Sequence, residues 1–165
     1  MCYNKLLQVV NDQRETEREV KSKEVCSALQ KLFPGIKGRL ADVCRPTQRK
    51  YDLAITTVFG SLADAIVVDS EKVARDAIMY MRDQRIGSGT FLPLDSLQVK
   101  PINDRLRSIA KGVRLAVDVV EFAPAVERAI HFCCGNAVVC DSLEVARGLC
   151  YEKGQQVKGE QCLFL

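Results

Sequence analysis

The chain has 165 residues, of which 47% are hydrophobic and 27% charged, proportions that are ordinary for a soluble globular protein. This length is enough for one domain with a hydrophobic core, or for two small lobes that share one. The net charge of +3 is far from the dense positive charge of a dedicated nucleic-acid reader. No apolar run reaches the roughly 18 residues of a membrane span, and the short apolar N-terminus does not resemble a signal peptide. We therefore expect a nuclear or cytosolic protein.

Eight cysteines raise the question of a metal site or of disulfide bonds. No two of them have the C-x2-C spacing of a zinc knuckle, and the only histidine of the chain is His131. Disulfide bonds are not expected without a secretory signal. We interpret the cysteines as small buried apolar residues and expect neither a metal nor a cofactor.

The first predicted element is a charged helix over residues 4–31, which contain no glycine or proline. Glu17–Lys21 and Glu19–Lys23 are i,i+4 pairs with the acid first, an order that supports a helix. The apolar positions are too few for the buried stripe of a globular helix. The pattern fits a solvated helix and one strand of a coiled coil equally well.

A globular α/β domain is predicted to begin near residue 32, where the segment FPGIKG breaks the helix. The predicted elements are a strand at 38–43, a turn at 45–47, a helix at 50–59 ended by Gly60, a strand at 65–68, a helix to about 85, a strand at 90–94, a polar connector at 100–112, a strand at 113–120, a helix at 124–132, a strand at 137–140 and a helix at 142–150. Pro93 limits its strand to an edge or terminal position, because proline has no N–H to donate.

The second half of the chain repeats the first. YDLAITTVFGSLADAIVVDSEKVARDAI matches VERAIHFCCGNAVVCDSLEVARGLC after a three-residue deletion. The matched residues are Ala54-Ile55 with Ala129-Ile130, Gly60 with Gly135, Ala65 with Ala137, Val67 with Val139, Asp69-Ser70 with Asp141-Ser142, and Val73-Ala74-Arg75 with Val145-Ala146-Arg147. One strand between two short helices cannot bury its apolar faces alone, but two such units packed together can. The repeat predicts two pseudo-symmetric lobes, at about residues 32–99 and 113–153.

One pair of residues suggests catalysis. His131 and Cys134 stand at i and i+3 of a predicted helix, the spacing at which a histidine can activate a thiol. No third group that would orient the histidine is evident, so a packed histidine and a buried cysteine are the favoured interpretation. The loop Gly87-Ser88-Gly89-Thr90 lacks the lysine of a Walker phosphate loop. We expect no enzymatic activity here, and keep a small α/β enzyme that uses Cys134 and His131 as an alternative.

Basic residues cluster at two places, Arg45, Arg49 and Lys50 near one turn, and Lys111 and Arg114 before a strand. Charged turns are usually solvated, and that is the default interpretation. The same residues are candidate contacts to a DNA backbone, which makes a standalone DNA-binding protein the other alternative.

The segments LFPGIKGRLADVCRPTQRKYDLAITTVFG, DAIVVDS, DQRIGSGTFLPLDSL and CGNAVVCDS, in this order, resemble the hinge of SMC (structural maintenance of chromosomes) proteins. The stretch CRPTQRKYDLA and the Cys-Gly-Asn at 134–136 are most similar to the first cohesin subunit. The resemblance implies an α/β domain of two pseudo-symmetric lobes at the tip of an antiparallel coiled coil. It therefore assigns residues 1–31 as a coiled-coil helix segment. It implies pairing with a second SMC hinge, in a nuclear complex that holds DNA during sister chromatid cohesion. It implies neither a membrane nor a small-molecule substrate, and it places the ATPase heads of SMC proteins outside these residues.

The resemblance also implies an interface. The family's TFLPLD segment lies near the contact between two hinges, so Phe91, Asp95 and Leu97 are the expected interface residues. An edge strand has unpaired backbone groups that a partner strand can complete, and a stable contact buries about 1,600 Å² in total. After the last helix the family has a V-T-x-D-G strand and paired glycines, whereas residues 154–165 read GQQVKGEQCLFL. We expect these residues to form an atypical tail.

Overall fold

The computed structural model describes residues 2–149 and 162–164, with side chains described over residues 16–149. The elements in chain order are α1 (Cys2–Leu32), β1 (Ile36–Arg39), α2 (Leu40–Val43), β2 (Cys44–Pro46), α3 (Asp52–Phe59), β3 (Ile66–Val68), α4 (Glu71–Asp83), β4 (Phe91–Pro93), β5 (Val113–Leu115), β6 (Val120–Phe122), α5 (Glu127–Cys134), β7 (Val138–Cys140), α6 (Leu143–Arg147) and β8 (Cys162–Phe164). Among these described helices, none has both the length and the apolar character needed to cross a membrane.

The strands form two three-stranded sheets and one two-stranded sheet. In the first lobe the order is β1-β3-β4, with β3 antiparallel to β1 and parallel to β4. In the second lobe the order is β5-β7-β8, with the same directions. The antiparallel pair β2-β6 joins the lobes. This arrangement confirms the predicted α/β fold and its two pseudo-symmetric halves.

Local details of the two lobes match as the repeat predicts. Gly60 and Gly135 end α3 and α5 with φ angles of 48° and 49°, a conformation that glycine adopts far more easily than other residues. Ser70 and Ser142 begin α4 and α6, and each hydroxyl accepts a hydrogen bond from the N–H three residues later, at 3.4 and 3.3 Å. The matched backbone hydrogen bonds include Leu40 N–Ala65 O (2.8 Å) with Ala116 N–Ala137 O (2.9 Å), and Asp69 N–Gly35 O (2.9 Å) with Asp141 N–Gly112 O (2.9 Å).

Both lobes share one hydrophobic core, in which Val67 and Leu92 of the first lobe pack in the same cluster as Ile130 and Val139 of the second. A separate cluster lies between α1, the first sheet and α4. Its buried residues are Cys26, Leu29, Ile36, Ile66, Val68, Ala74, Ala77 and Met81. Successive residues of β3 alternate between the two clusters, as the side chains of a strand buried on both faces must. The cluster anchors the end of α1 to the first lobe.

The predicted strands at 38–43 and 113–120 are wrong in their extent. The range 38–43 holds the end of β1 and the helical turn α2, and β2 follows it. The range 113–120 holds β5, a 3-10 turn at Ala116–Val119 and the first residue of β6. The turn is required because the strands on its two sides belong to different sheets. The predicted turn at 45–47 is wrong for the same reason, since Cys44–Pro46 form β2 and the Thr47 N–H donates to the Val119 carbonyl at 2.9 Å.

The strand β8 lies inside the predicted tail at 154–165. Cys162 is aligned with Val138 of β7, just as Phe91 of β4 is aligned with Ile66 of β3. The strand β8 therefore occupies in the second sheet the place of β4 in the first. A domain boundary at residue 153 leaves out this strand, and residues 150–161 lie outside the described part of the chain.

Candidate dimer interface

The strand β4 lies at an edge of the first sheet, as Pro93 predicted. Backbone groups of Thr90 and Leu94 join it to β3 with hydrogen bonds of 2.8 and 2.9 Å. Because backbone groups alternate in direction along a strand, the N–H and C=O of Phe91 face away from β3. Pro93 has no N–H, and its carbonyl accepts hydrogen bonds from two amides of the following turn, at 3.2 and 3.1 Å. The open edge of β4 thus offers one donor and one acceptor, both on Phe91.

The three predicted interface residues have different surroundings. The Phe91 side chain is half-buried and packs against the cluster under α1 and α4. Asp95 is exposed, and its carboxylate oxygens accept hydrogen bonds from the Glu71 N–H at 3.0 and 3.2 Å. Leu97 is half-buried, and its carbonyl accepts a hydrogen bond from Arg128 at 2.8 Å. Asp95 thus caps the start of α4, and Leu97 connects the two lobes, so both have a structural role within the chain.

The polar connector between the lobes is fastened to the second lobe. The described contacts are Arg128 Nη2 to the Leu97 carbonyl at 2.8 Å, the Asn103 N–H to Asn136 Oδ1 at 2.8 Å, and Arg107 Nε and Nη2 to the Asp118 carboxylate at 2.8 Å each. The bidentate pair is a strong geometry for an arginine and a carboxylate. The first contact joins the two lobes directly, and the other two tie the connector to the second lobe.

The residues of the catalytic alternative are not arranged for catalysis. Cys134 is 2% exposed, and burial raises the pKa of its thiol to about 12. Burial likewise raises the pKa of the Cys133 thiol to about 12. The Nε2 atom of His131 lies 3.8 Å from the Glu127 carboxylate, and its ring contacts Phe122 edge-on. A catalytic thiol needs a lowered pKa and access to substrate, so these residues fit packing instead.

The five candidate DNA contacts are exposed and lie in two groups. Arg45 is in β2, while Arg49 and Lys50 begin the turn before α3, with the Lys50 ammonium 4.8 Å from the Tyr51 ring centre. The positive end of the α3 dipole adds to the charge of this group. Lys111 lies just before β5, at the end of the connector, and Arg114 lies within β5. Arg45 and Arg114 are the members of these groups that lie in strands, and their strands belong to different sheets.

Arg39, at the end of β1, is a residue that the sequence reasoning missed. Its side chain is 1% exposed, and its guanidinium donates to Asp42 at 2.7 and 3.0 Å and to Asp64 at 2.8 Å. The Glu19 carboxylate of α1 lies 3.8 Å away. The hydrogen bonds from Arg39 lower the pKa of Asp42, and the pKa of Glu19 is lowered by Lys23 and, to a smaller extent, by Arg39. Three segments of the chain thus meet at one buried cation.

Comparison with known proteins gives one family. The model of the family described as "SMC proteins Flexible Hinge Domain" matches residues 33–150. The chain is 41% identical over 157 residues to "Structural maintenance of chromosomes protein 1" of Schizosaccharomyces pombe, covering 95% of this chain and 13% of that protein. The chain therefore spans only a small part of this relative's length.

Solved structures agree with the family model. A Geobacillus stearothermophilus SMC hinge domain, described as an asymmetric dimer, is 29% identical with a TM-score of 0.71, covering 89% of this chain and 62% of that chain. A structure described as "Folded elbow of cohesin" is also 29% identical, with a TM-score of 0.75, and the match covers 97% of this chain and 23% of that one.

Proposed function

The chain belongs to the SMC flexible-hinge family, and from that premise we propose that it dimerises with a second SMC hinge in a cohesin-type complex that acts on chromosomes in the nucleus. The observation that carries this proposal is the pair of equivalent edge strands, β4 in the first sheet and β8 in the second. A second hinge with the same pseudo-symmetry presents two matching edges. Strand pairing at both ends would then join the two domains, with no enzymatic step.

Phe91 is the residue that we expect to matter most at the β4 edge. Its backbone provides the free donor and acceptor, and its half-buried ring extends the apolar surface beside the edge. Asp95 and Leu97 are proposed to act by holding the segment after β4 in place, through the hydrogen bonds to Glu71 and Arg128. A partner strand would therefore meet an edge that is already ordered.

Sedimentation velocity of the chain with a cohesin partner hinge tests this function. We expect a one-to-one complex at micromolar concentrations, and at least tenfold weaker binding for Phe91→Ala. Leu53→Ala is the matched control, because Leu53 is an apolar side chain that is 75% exposed on α3 and belongs to neither edge strand. Circular dichroism checks that both variants are folded. If the wild-type chain and the partner sediment as separate species at every concentration tested, the proposal is overturned.

Contact with DNA is a second candidate function for the same domain. The observation that favours it is the exposed group of Arg45, Arg49 and Lys50 around the start of α3. Backbone phosphates bind well to such groups, and the binding weakens steeply with salt as counterions are released. Titration of a short DNA duplex at two salt concentrations tests this candidate, and an affinity that does not change with salt would contradict it.

A further inference from the structure

The buried Arg39 belongs to only one of the two lobes. Arg39 is aligned with Ile66 in the first sheet, and Leu115 is aligned with Val138 in the second. Because Ile66 and Val138 are equivalent in the repeat, Leu115 is the counterpart of Arg39, and it is fully buried. The lobe fold therefore does not need a buried arginine at this position.

The carboxylate Asp64 is also specific to the first lobe. It lies between Gly60 and Ala65, in the segment that the second lobe shortens by three residues between Gly135 and Ala137. Asp64 accepts a hydrogen bond from Arg39 at 2.8 Å. The first lobe thus carries an arginine and an aspartate that its twin lacks.

The feature that accompanies this difference is the long helix α1. Among the described residues, α1 packs on the first lobe, where Cys26 and Leu29 are buried in the cluster with Ile66. Glu19, which faces Arg39, lies seven residues before Cys26 and so on the same face of the helix, roughly 10 Å further along its axis. The apolar contact is a pivot, and Glu19 is a second point of attachment beyond it.

We propose that Arg39 is a joint that sets the direction in which α1 leaves the first lobe. Asp42 and Asp64 hold the guanidinium on the lobe side, so it stays paired whether or not Glu19 is close. The pair with Glu19 is the longest of the three, at 3.8 Å, and the Glu19 side chain is 54% exposed. Because only the Glu19 side of this pair is exposed to solvent and the contact is long, it is the weakest of the three and the one that salt screens most. The helix can therefore change direction about its apolar pivot while the lobe stays intact.

The proposal is tested on the whole chain by measuring the distribution of distances between one spin label on α1 and another on the first lobe. Spin labels are attached through genetically encoded amino acids at Val20 and Asp76, both exposed, so that the native cysteines stay unlabelled. In Glu19→Gln we expect the distribution to shift and broaden. Glu17→Gln is the control for the change in charge on the same helix, and Lys23→Gln is the control for the 2.8 Å pair that Glu19 forms within α1. Both variants should leave the distribution as in wild type.

A second variant separates the joint from general stability. Arg39→Leu installs the residue of the matched position in the second lobe, and the carboxylates it leaves behind are 48% and 54% exposed and can be solvated. We expect this variant to fold and to broaden the distance distribution as Glu19→Gln does. The double variant with Glu19→Gln should show no further broadening. Two results would overturn the proposal. One is a distance distribution in Glu19→Gln that matches wild type. The other is that Glu19→Gln broadens the distribution as much in the Arg39→Leu background as it does in wild type. Should Arg39→Leu fail to fold, the comparison of Glu19→Gln with Glu17→Gln and Lys23→Gln still decides.

Discussion

Arg45 of β2 lies directly opposite Glu121 of β6, at the centre of the two-stranded sheet that joins the lobes. The neighbouring pairs are Cys44 with Phe122 and Pro46 with Val120, so the three residues of β2 meet those of β6 symmetrically about this pair. The pseudo-twofold axis of the domain therefore passes between Arg45 and Glu121. This explains why one short ladder can join two lobes of equal design.

Replacing Arg45 by glutamate should destabilise the domain, because two like charges would then stand directly opposite in the ladder. Cross-strand pairs of this kind contribute about 0.2–1 kcal/mol, and we expect Arg45→Glu to lower the free energy of unfolding by an amount in this range. The double variant Arg45→Glu with Glu121→Arg should recover most of the loss. Urea denaturation of the single and double variants measures the coupling energy between residues 45 and 121. If the single variant Arg45→Glu and the double variant are equally stable, the two residues do not lie opposite each other.

Gly60→Ala and Gly135→Ala should each destabilise the domain by about 1–3 kcal/mol, the usual cost of a sparsely populated backbone conformation. An added Cβ meets nothing within 4 Å at either position, so no steric clash adds to the backbone strain. The φ and ψ angles nearly coincide, at 48° and −125° against 49° and −128°, so the two losses should be similar. Gly89→Ala is the control, since its Cβ would make only ordinary contacts of 3.7 Å or more. A neutral Gly60→Ala in chemical denaturation would be inconsistent with this account.

These glycines also show how much of the fold could be predicted from sequence. Gly60, Gly135 and the serines that begin α4 and α6 act within a few residues of themselves, so the repeat and its caps were predictable. The breaks after β1 and β5 were not, because an apolar run such as that at 113–120 has the pattern of one continuous strand. Pairing with strands that are distant in the chain decides which residues of the run form the turn.

The candidate site was predictable only where a single residue, by its own chemistry, indicates the structure around it. Pro93 indicates an edge strand by itself, and β4 is an edge strand. Arg39 looks like an ordinary surface residue, and its burial depends on Asp64, 25 positions later, and on Glu19, 20 positions earlier. The strand β8 was missed because its place in the sheet depends on pairing with β7 across residues outside the described part.

The Cys134 thiol should resist alkylation in the folded protein. With a pKa of about 12, the thiol is almost wholly protonated at pH 8, and we expect iodoacetamide to react about a thousandfold more slowly than with a free cysteine. Mass spectrometry after timed alkylation, with and without denaturant, gives the rate for Cys134. Rapid modification without denaturant would revive a catalytic role for this thiol beside His131.

Acid should weaken the contribution of Asp42 to stability. The hydrogen bonds from Arg39 lower the pKa of Asp42 in the folded state below the ordinary value of 3.8. The stabilisation is therefore fully present above the unfolded pKa, and it is lost as the pH falls through the folded pKa. Melting temperatures of wild type and Asp42→Asn should differ from pH 7 down to about pH 4 and converge below it.

The control for this pH series is Asp76→Asn, since Asp76 is exposed on α4 and forms no ion pair among the described residues. Its melting temperature should follow that of wild type over the whole range. A gap between wild type and Asp42→Asn that persists unchanged to pH 3 would show that Asp42 acts by some means other than its charge.

Amide hydrogen exchange of the chain in complex with a partner hinge tests the central proposal most directly. Binding through the sheet edges predicts that the Phe91 amide, and amides within Cys162–Phe164, exchange more slowly in the complex, because their outward N–H groups gain acceptors from the partner. The exposed face of α3 around Leu53 should exchange as in the free chain. A complex that forms while the Phe91 amide exchanges at its free rate would contradict dimerisation through this edge.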